Sequence, residues 1–219
     1  MRYQVRYNHP AQPIVSLLIK AGSHLGNLQR CVEGLLSNTA YQNFEILFIE
    51  QPQSSAEVKD WLAALEQMQE AKLRVLRPTA TESAGQLAAA AEQAIGDYVL
   101  LLSPDTAVVS QHWLDELLNH GQRGEVGVVG AKLLSAEGKI AHAGLLLGLQ
   151  GPVGAPFMGQ ALDAAGYMQR LQVDQNLSAV GSDCMLVLKQ LFIELGGFDA
   201  ALADAYQSTD FCLRAAQAG

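Results

Sequence analysis

Four short apolar runs separated by amphipathic segments constrain the fold of this chain more than any other feature of its sequence. Each run has the length of a buried strand, and the four cover residues 14–19, 44–49, 73–76 and 98–102. The segments between them carry apolar residues at helical spacing, as in residues 25–36. Strands that alternate with helices form parallel sheets with right-handed crossovers. The pattern predicts an α/β fold, with a mostly parallel sheet flanked by helices.

Serine residues mark the expected starts of the helices between these runs. Ser23 and Ser110 each precede a segment of helical periodicity and are predicted to cap it. Ser54 and Glu57 have the spacing of a capping box. A further, alanine-rich helix is predicted over residues 83–95.

The second half of the chain has a less regular pattern. Residues 126–129 are strand-like, and the Gly- and Pro-containing stretch 145–159 predicts loops around a strand. Residues 177–188 predict another strand, and 188–195 predict a helix. Residues 210–218 predict the first turns of a last helix. No stretch has the composition of a linker between two domains.

Composition excludes several classes of protein. The 219 residues are 49% hydrophobic and 16% charged, as in an ordinary globular domain. The net charge of −8 has the wrong sign for a nucleic-acid groove, so no nucleic-acid partner is expected. No apolar stretch reaches about 18 residues, and the polar first 13 residues are not a secretory signal. Three widely separated cysteines, Cys31, Cys184 and Cys212, are expected to be reduced thiols of a cytoplasmic protein.

The ends of the predicted strands are the expected place for chemistry. Parallel sheets bind ligands beyond the carboxyl ends of their strands. Lys20, Glu50 and Asp105 follow the first, second and fourth runs. A dinucleotide-binding or P-loop protein is excluded, because neither glycine motif of those classes occurs in the sequence.

The order and spacing of five segments resemble the family-two glycosyltransferases of the GT-A (nucleotide-diphospho-sugar transferase) fold. The resemblance is strongest to the bacterial cell-surface polysaccharide and rhamnosyl-transfer branch. The segments are residues 13–50, 96–118, 125–148, 176–199 and 209–219. We therefore divide the chain into an N-terminal tail, 1–12, and a glycosyltransferase-like domain, 13–219. The family normally continues further, so we expect the end of the domain, and further domains, to lie beyond this sequence.

The resemblance implies transfer of a sugar, with inversion, from a nucleotide-diphosphate donor to a glycan or lipid-linked acceptor. It also implies Mn²⁺ or Mg²⁺, since a hard cation neutralises the charge that gathers on the leaving diphosphate. A carboxylate would deprotonate the acceptor hydroxyl, which is otherwise a poor nucleophile. A lipid-linked acceptor would bring this cytoplasmic protein to the periphery of the inner membrane.

On the donor side, the resemblance assigns roles to Lys20, Glu50, Gln86 and Asp105. Glu50 stands where the family usually has an Asp that binds the base or ribose, and Lys20 lies in the loop that contacts the nucleotide. Gln86 is the nearest equivalent of an Asn in the nucleotide pocket. Asp105 matches the last acid of the family's D-x-D-like group, the metal contact, whereas Pro104 replaces a carboxylate. In the alternative interpretation these residues have no functional role. Lys20 is then an exposed lysine, Glu50 a solvated acid at a strand end, Gln86 a polar helix residue and Asp105 a turn aspartate.

On the acceptor side, the family's catalytic carboxylate is replaced. Ser208 occupies its position, and a neutral serine cannot act as a general base at neutral pH. Asp210, two residues later, is the surviving acid and could serve as the base or support the last helix. His142 matches a common family feature, with a structural role as the alternative. Asp183 replaces a small residue and could supply the lost carboxylate.

Two functions therefore remain open. One is a glycosyltransferase, and the other is a catalytically degenerate domain that serves as a binding or scaffolding module. Gly22, Pro104 and Ser208 depart from the family pattern and make the second a serious alternative, but the resemblance favours the first. Because Ser208 cannot supply base catalysis, worth about 10²–10⁴-fold in rate, we expect weak nucleotide binding and turnover near background.

Overall fold

The computed structural model of the protein describes residues 5–219 and contains the four predicted runs as parallel strands. The strands are β1 (Val15–Ala21), β2 (Phe44–Glu50), β3 (Leu73–Leu76) and β4 (Tyr98–Leu102). β1 lies between β2 and β4, and β3 pairs with the outer side of β2. The predicted α/β architecture is confirmed, and the strand ends differ from the predicted ones by at most two residues.

Helices cover both faces of this sheet, as the alternation predicts. On one face lie α1 (Leu25–Asn38), α2 (Ala56–Met68) and α4 (Trp113–Gly121). On the other lie α3 (Ser83–Gln93), α5 (Lys189–Glu194) and α6 (Asp204–Ala218). Side chains of β2 alternate between the two cores, because successive residues of a strand point to opposite faces.

The sheet is completed by two strands from the second half of the chain. These are β5 (Val128–Gly130) and β10 (Cys184–Leu188), with β10 antiparallel between β4 and β5. The predicted strand over residues 177–188 is therefore wrong in its first part. Residues before Cys184 leave the sheet, and Ala179 forms an isolated bridge with Leu145 instead. The final order is β3-β2-β1-β4-β10-β5.

Between β5 and β10 the chain forms short hairpins. β6 (Leu133–Leu134) pairs with β7 (Ile140–His142), and β8 (Leu146–Leu147) pairs with β9 (Val153–Gly154). The stretch 145–159 thus holds two short strands and not the one predicted. A 3₁₀ helix, Tyr167–Gln172, follows them.

The predicted helix starts need correction. α1 begins after His24, with no side-chain cap bond, so Ser23 does not cap it. Ser55 caps α2 by accepting from the Val58 amide, while Ser54 donates to the Ala21 carbonyl and so joins two loops. These serines are used by the turns before the helices, which local sequence rules do not anticipate.

The remaining starts and ends also shift. α4 begins at Trp113, and Ser110 contributes only its carbonyl, which accepts from the Trp113 amide. α3 ends at Gln93, two residues before the predicted end. α6 begins at Asp204, six residues earlier than predicted, because the side chains of residues 207–209 are also buried.

The described part of the N-terminal tail lies against α4. The Asn119 amide group accepts from the Tyr7 amide at 2.9 Å and donates to the Val5 carbonyl at 2.9 Å. The guanidinium of Arg123 lies 4.6 Å from the centre of the Tyr7 ring. The tail is therefore attached to the domain by specific contacts.

All three cysteines are free and buried. Burial raises the pKa of each thiol above its usual value. Since the thiolate is the reactive form, these side chains are unreactive core residues.

Candidate active site

The candidate site lies at the edge of the sheet where the parallel strands end. Ala21 pairs with Glu50 and Ile19 pairs with Leu102, so β1, β2 and β4 end at nearly the same level. β10 begins at this edge, because Cys184 pairs with Leu102. The loops that follow the parallel strands therefore meet the segment that precedes β10.

A cavity of about 160 Å³ opens at this edge. It lies between β1, β4, α3 and the segment before β10. Its polar and charged lining consists of Lys20, Ser103, Ser182 and Asp183, and the rest of its lining is Leu18, Leu87, Leu101, Leu102 and Pro104. A larger cavity, of about 270 Å³, lies at the opposite end of the sheet beside the N-terminal tail. We assign the chemistry to the smaller cavity, because ligands of parallel sheets bind at the carboxyl edge.

Glu50, at the end of β2, is held by an arginine. Its Oε2 accepts from Arg77 Nε at 2.9 Å. The same guanidinium donates two bonds, of 2.8 and 2.9 Å, to the carboxylate of Glu66 on α2. These bonds raise the pKa of Arg77 and lower that of Glu66. Glu50 thus has one oxygen fixed, while Oε1 has no hydrogen-bond partner among the described residues.

Asp105 lies in the turn after β4, beside α1. Its Oδ1 accepts from Asn27 Nδ2 at 2.6 Å, and its amide donates to Ser103 Oγ at 3.3 Å. Nowhere in residues 5–219 do three His, Cys, Asp or Glu side chains form a group that could hold a metal. A cation here would take one carboxylate from the protein. That fits a Mg²⁺-type site, which needs one or two carboxylates plus substrate phosphates.

Lys20 points to the opposite face of β1 from α1. Its Nζ donates to Ser83 Oγ, in the first turn of α3, at 2.9 Å. The lysine is half-buried and lines the cavity. It therefore places a positive charge at the cavity wall, where the sequence predicts a donor contact.

Gln86 is almost fully buried on α3, with 1% of its surface exposed. Its Nε2 donates to the Ala80 carbonyl at 3.0 Å, and its Oε1 has no partner among the described residues. In this structure the side chain supports the loop between β3 and α3. It is not part of the cavity lining.

Ser208 and Asp210 both lie within α6. Ser208 is buried, and Asp210 Oδ2 accepts from Arg214 Nε at 2.8 Å. Arg214 also donates to the carbonyls of Leu195 and Gly197. The ion pair therefore fastens α6 to the end of α5, and neither Ser208 nor Asp210 lines the cavity.

His142 and Asp183, which the sequence predicts on the acceptor side, lie at the segment before β10. His142 Nε2 accepts from the Gly181 amide at 2.9 Å, which places the proton of the neutral ring on Nδ1. Burial lowers the pKa of His142, and the nearby charge of Asp183 opposes this effect. Asp183 is exposed and lines the cavity.

Sequence reasoning missed two residues that organise this edge. Arg77 directly follows β3, and Glu50 is the last residue of β2. The rule that selects polar residues at strand ends identified Glu50 and would have identified Arg77 as well. Asn27 gave no signal, because its contact with Asp105 joins a helix to a distant loop.

The sequence profile of glycosyl transferase family 2 matches residues 21–196. This chain belongs to that family. The matched range begins at the last residue of β1 and runs through α5, so it includes Glu50, Asp105 and Asp183 but not Lys20. The domain is thus a family-2 glycosyltransferase of the GT-A fold.

Two curated relatives extend over nearly all of this glycosyltransferase domain. An uncharacterized protein of Sinorhizobium fredii, y4gI, is 34% identical over 99% of the chain. The O-antigen biosynthesis protein RfbC of Myxococcus xanthus is 34% identical over 91% of it. The chain spans only 24% and 16% of the lengths of these two proteins.

Solved glycosyltransferases share the fold at low sequence identity. The mannosyltransferase PcManGT of Pyrobaculum calidifontis, in complex with GDP-Man and Mn²⁺, superposes with a TM-score of 0.70 at 13% identity, over 99% of this chain and 56% of its own. GalNAc-T7 with UDP, GalNAc and Mn²⁺ gives 0.74 at 14%, over 99% and 44%. S. aureus TarS in complex with UDP-GlcNAc gives 0.57 at 12%, over 92% and 52%.

None of the helices in the described part of this family-2 domain has the length and apolar character that crossing a membrane requires.

Proposed function

We propose that this domain transfers a sugar from a nucleotide-diphosphate donor to a hydroxyl group of a glycan acceptor, with inversion at the anomeric carbon. The observation that carries the proposal is the cavity at the carboxyl edge, with Lys20 and Asp183 in its lining. A cation and a carboxylate in one cavity suit a reaction that releases an anionic diphosphate and removes a proton from the acceptor.

The donor would lie across the ends of β1 and β2. Glu50 is suited to the nucleoside because Arg77 fixes one carboxylate oxygen and leaves Oε1 able to accept a hydrogen bond. Lys20 is suited to a phosphate, since its ammonium group lies beside the cavity next to the first turn of α3. Gln86 would act through the loop at residues 80–81 and not by direct contact.

Asp105 is the residue that would hold Mn²⁺ or Mg²⁺. Its Oδ2 has no hydrogen-bond partner within residues 5–219, so it can join the diphosphate oxygens around a cation. When bound, the cation neutralises the charge of the leaving diphosphate. PcManGT and GalNAc-T7, which share the fold, contain Mn²⁺.

The acceptor is a polysaccharide or a lipid-linked glycan. With a lipid-linked glycan, the reaction takes place at the cytoplasmic face of the inner membrane. The relative RfbC, named for O-antigen biosynthesis, supports a polysaccharide. We place the catalytic unit in residues 13–219 and treat residues 1–12 as a tail, in line with the contacts of residues 5–12 along α4.

Calorimetric titration with UDP, GDP and dTDP, with and without Mn²⁺, tests the donor side. We expect one of these nucleotides to bind in the presence of Mn²⁺. Asp105→Asn should remove the Mn²⁺ dependence, and Asp60→Asn, an exposed acid on α2, should leave it unchanged. Absence of binding by all three nucleotides, or an equal loss in both variants, would contradict the proposal.

A degenerate, binding-only domain is the second candidate. It is favoured by the buried Ser208 and by the ion pair that occupies Asp210. Nucleotide binding without release of nucleotide from any donor would support it.

A further inference from the structure

The cavity contains one carboxylate that the structure leaves unengaged. Asp183 Oδ1 and Oδ2 have no hydrogen-bond or ion-pair partner among residues 5–219, although the side chain lines the cavity and is exposed. Each of the other acids at or near the site has one carboxylate oxygen bonded, Glu50 to Arg77, Asp105 to Asn27 and Asp210 to Arg214.

The backbone that carries this carboxylate is fixed on three sides. The Gly181 amide donates to His142, and the Asp183 carbonyl accepts from the Ser103 amide at 2.9 Å. The next residue, Cys184, begins β10 and pairs with Leu102. These bonds fix the backbone position of Asp183 beside the cavity.

The other candidates for a base are unavailable. Ser208 is neutral, and the carboxylate of Asp210 is neutralised by Arg214, which also binds two carbonyls. His142 uses Nε2 to accept from Gly181, so its remaining ring nitrogen carries a proton and can only donate. His142 is thus a positioning residue for the segment before β10.

We propose that Asp183 is the general base that activates the acceptor hydroxyl, which rests on the function proposed above. The acceptor O–H proton passes to the Asp183 carboxylate while the acceptor oxygen forms a bond to the anomeric carbon. The bond from that carbon to the diphosphate oxygen breaks, and the electron pair leaves with the nucleotide diphosphate. Neither a redox step nor a covalent enzyme intermediate is needed.

The assignment predicts that activity survives the serine at position 208. The sequence led us to expect turnover near background, because the family's base is absent there. A carboxylate on a neighbouring element of the same edge supplies the same proton transfer. We therefore expect measurable turnover in the unmodified protein.

The test measures nucleotide release from GDP-mannose, UDP-GalNAc, UDP-GlcNAc and dTDP-rhamnose with Mn²⁺, with water or added glycan as acceptor. Asp183→Asn should lower the rate about 10²–10⁴-fold while the nucleotide dissociation constant stays within twofold. Asp60→Asn is the matched control, an exposed aspartate whose side chain also has no partner among residues 5–219, and should keep the wild-type rate.

Sodium azide separates a chemical role from a structural one. Azide attacks the anomeric carbon without losing a proton, so it should restore nucleotide release in Asp183→Ala and form a glycosyl azide. Loss of release in Asp210→Asn with full activity in Asp183→Asn would overturn the assignment. Nucleotide binding with no release from any donor would also overturn it and leave the donor site standing. A protein that binds no nucleotide would refute the proposed function itself.

Discussion

Two glutamates on the same strand, Glu45 near the start of β2 and Glu50 at its end, have contrasting surroundings. Glu45 is 3% exposed and accepts from Ser16 Oγ at 2.6 Å, the Ile95 amide at 2.8 Å and Arg74 at 3.0 Å. Glu50 accepts only from Arg77 and keeps one oxygen without a partner in the described chain.

The difference separates the two edges of the sheet. At the amino edge, where Glu45 lies, polar groups are satisfied by one another and connect β1, β2 and the start of β4. At the carboxyl edge, oxygens of Glu50, Asp105 and Asp183 remain available. A buried polar group without a partner destabilises the fold. The carboxylate oxygens at the carboxyl edge can lack protein partners because this edge is partly exposed. The amino edge stabilises the fold, and the carboxyl edge is free to bind.

The largest effect should come from the amino edge. Glu45→Ala removes the acceptor of three hydrogen bonds in a buried site, and we expect a loss of about 3 kcal/mol in the free energy of unfolding. Urea unfolding at pH 7 measures it. Glu50→Ala, the matched change at the other end of β2, should cost less than about 1 kcal/mol. Equal losses would remove the distinction between the two edges.

An intermediate effect is expected at the carboxyl edge. Arg77→Met releases the Glu50 carboxylate, and we expect nucleotide affinity to fall about tenfold, or about 1.4 kcal/mol. Because the Arg77 ion pairs are partly exposed, stability should change by less than about 1 kcal/mol. Calorimetric titration and urea unfolding give the two values. Lys139→Met, which changes an exposed lysine between β6 and β7, is the control. Unchanged affinity in Arg77→Met would mean that Glu50 needs no anchor.

The smallest effect tests the amino edge by pH. Tyr41 donates its hydroxyl proton to the Pro13 carbonyl at 2.6 Å, and burial, with smaller contributions from Asp115 and Asp97, raises its pKa to about 12. An unfolded tyrosine ionises near pH 10, so between these values only the unfolded state has lost the proton, and stability falls as pH rises.

Tyr41→Phe removes this linkage. At pH 7 the variant should be about 1 kcal/mol less stable, because one hydrogen bond is lost. Between pH 10 and 12 the difference from the unmodified protein should shrink. Chemical denaturation across this range measures it, and a constant difference would show that Tyr41 does not contribute to the alkaline loss of stability.

Local pattern predicted the regular half of the fold and failed where distant contacts decide. β4 matches its apolar run residue for residue, since burial on both faces leaves a clear signal. β3 also has the predicted bounds, although three of its four residues are only half-buried. The predicted strand includes residues 177–183, but this segment turns out of the sheet towards Leu145. The start of α6 gives no local signal, because no side chain caps it and the burial of residues 207–209 is decided by tertiary packing.

For the site, the sequence predicted which residues follow the strands but not how they are bonded. The chain order of strands brings Lys20, Glu50 and Asp105 to one edge. The bonds of Glu50 to Arg77 and of Asp210 to Arg214 are seen only in the three-dimensional structure. They show which carboxylate oxygens are already bonded within the protein. The expected roles of these residues stay predictions.

The antiparallel β10 between β4 and β5 also bears on how the protein is made. β5 pairs only with β10, whose first residue lies more than fifty positions further along the chain. During synthesis, β5 and one edge of β4 therefore remain without a neighbouring strand until β10 has left the ribosome. Unpaired strand edges are prone to aggregation, so this interval is the vulnerable stage of biosynthesis. The cavity at the carboxyl edge, which needs Asp183 and Ser103 side by side, is completed in the same step.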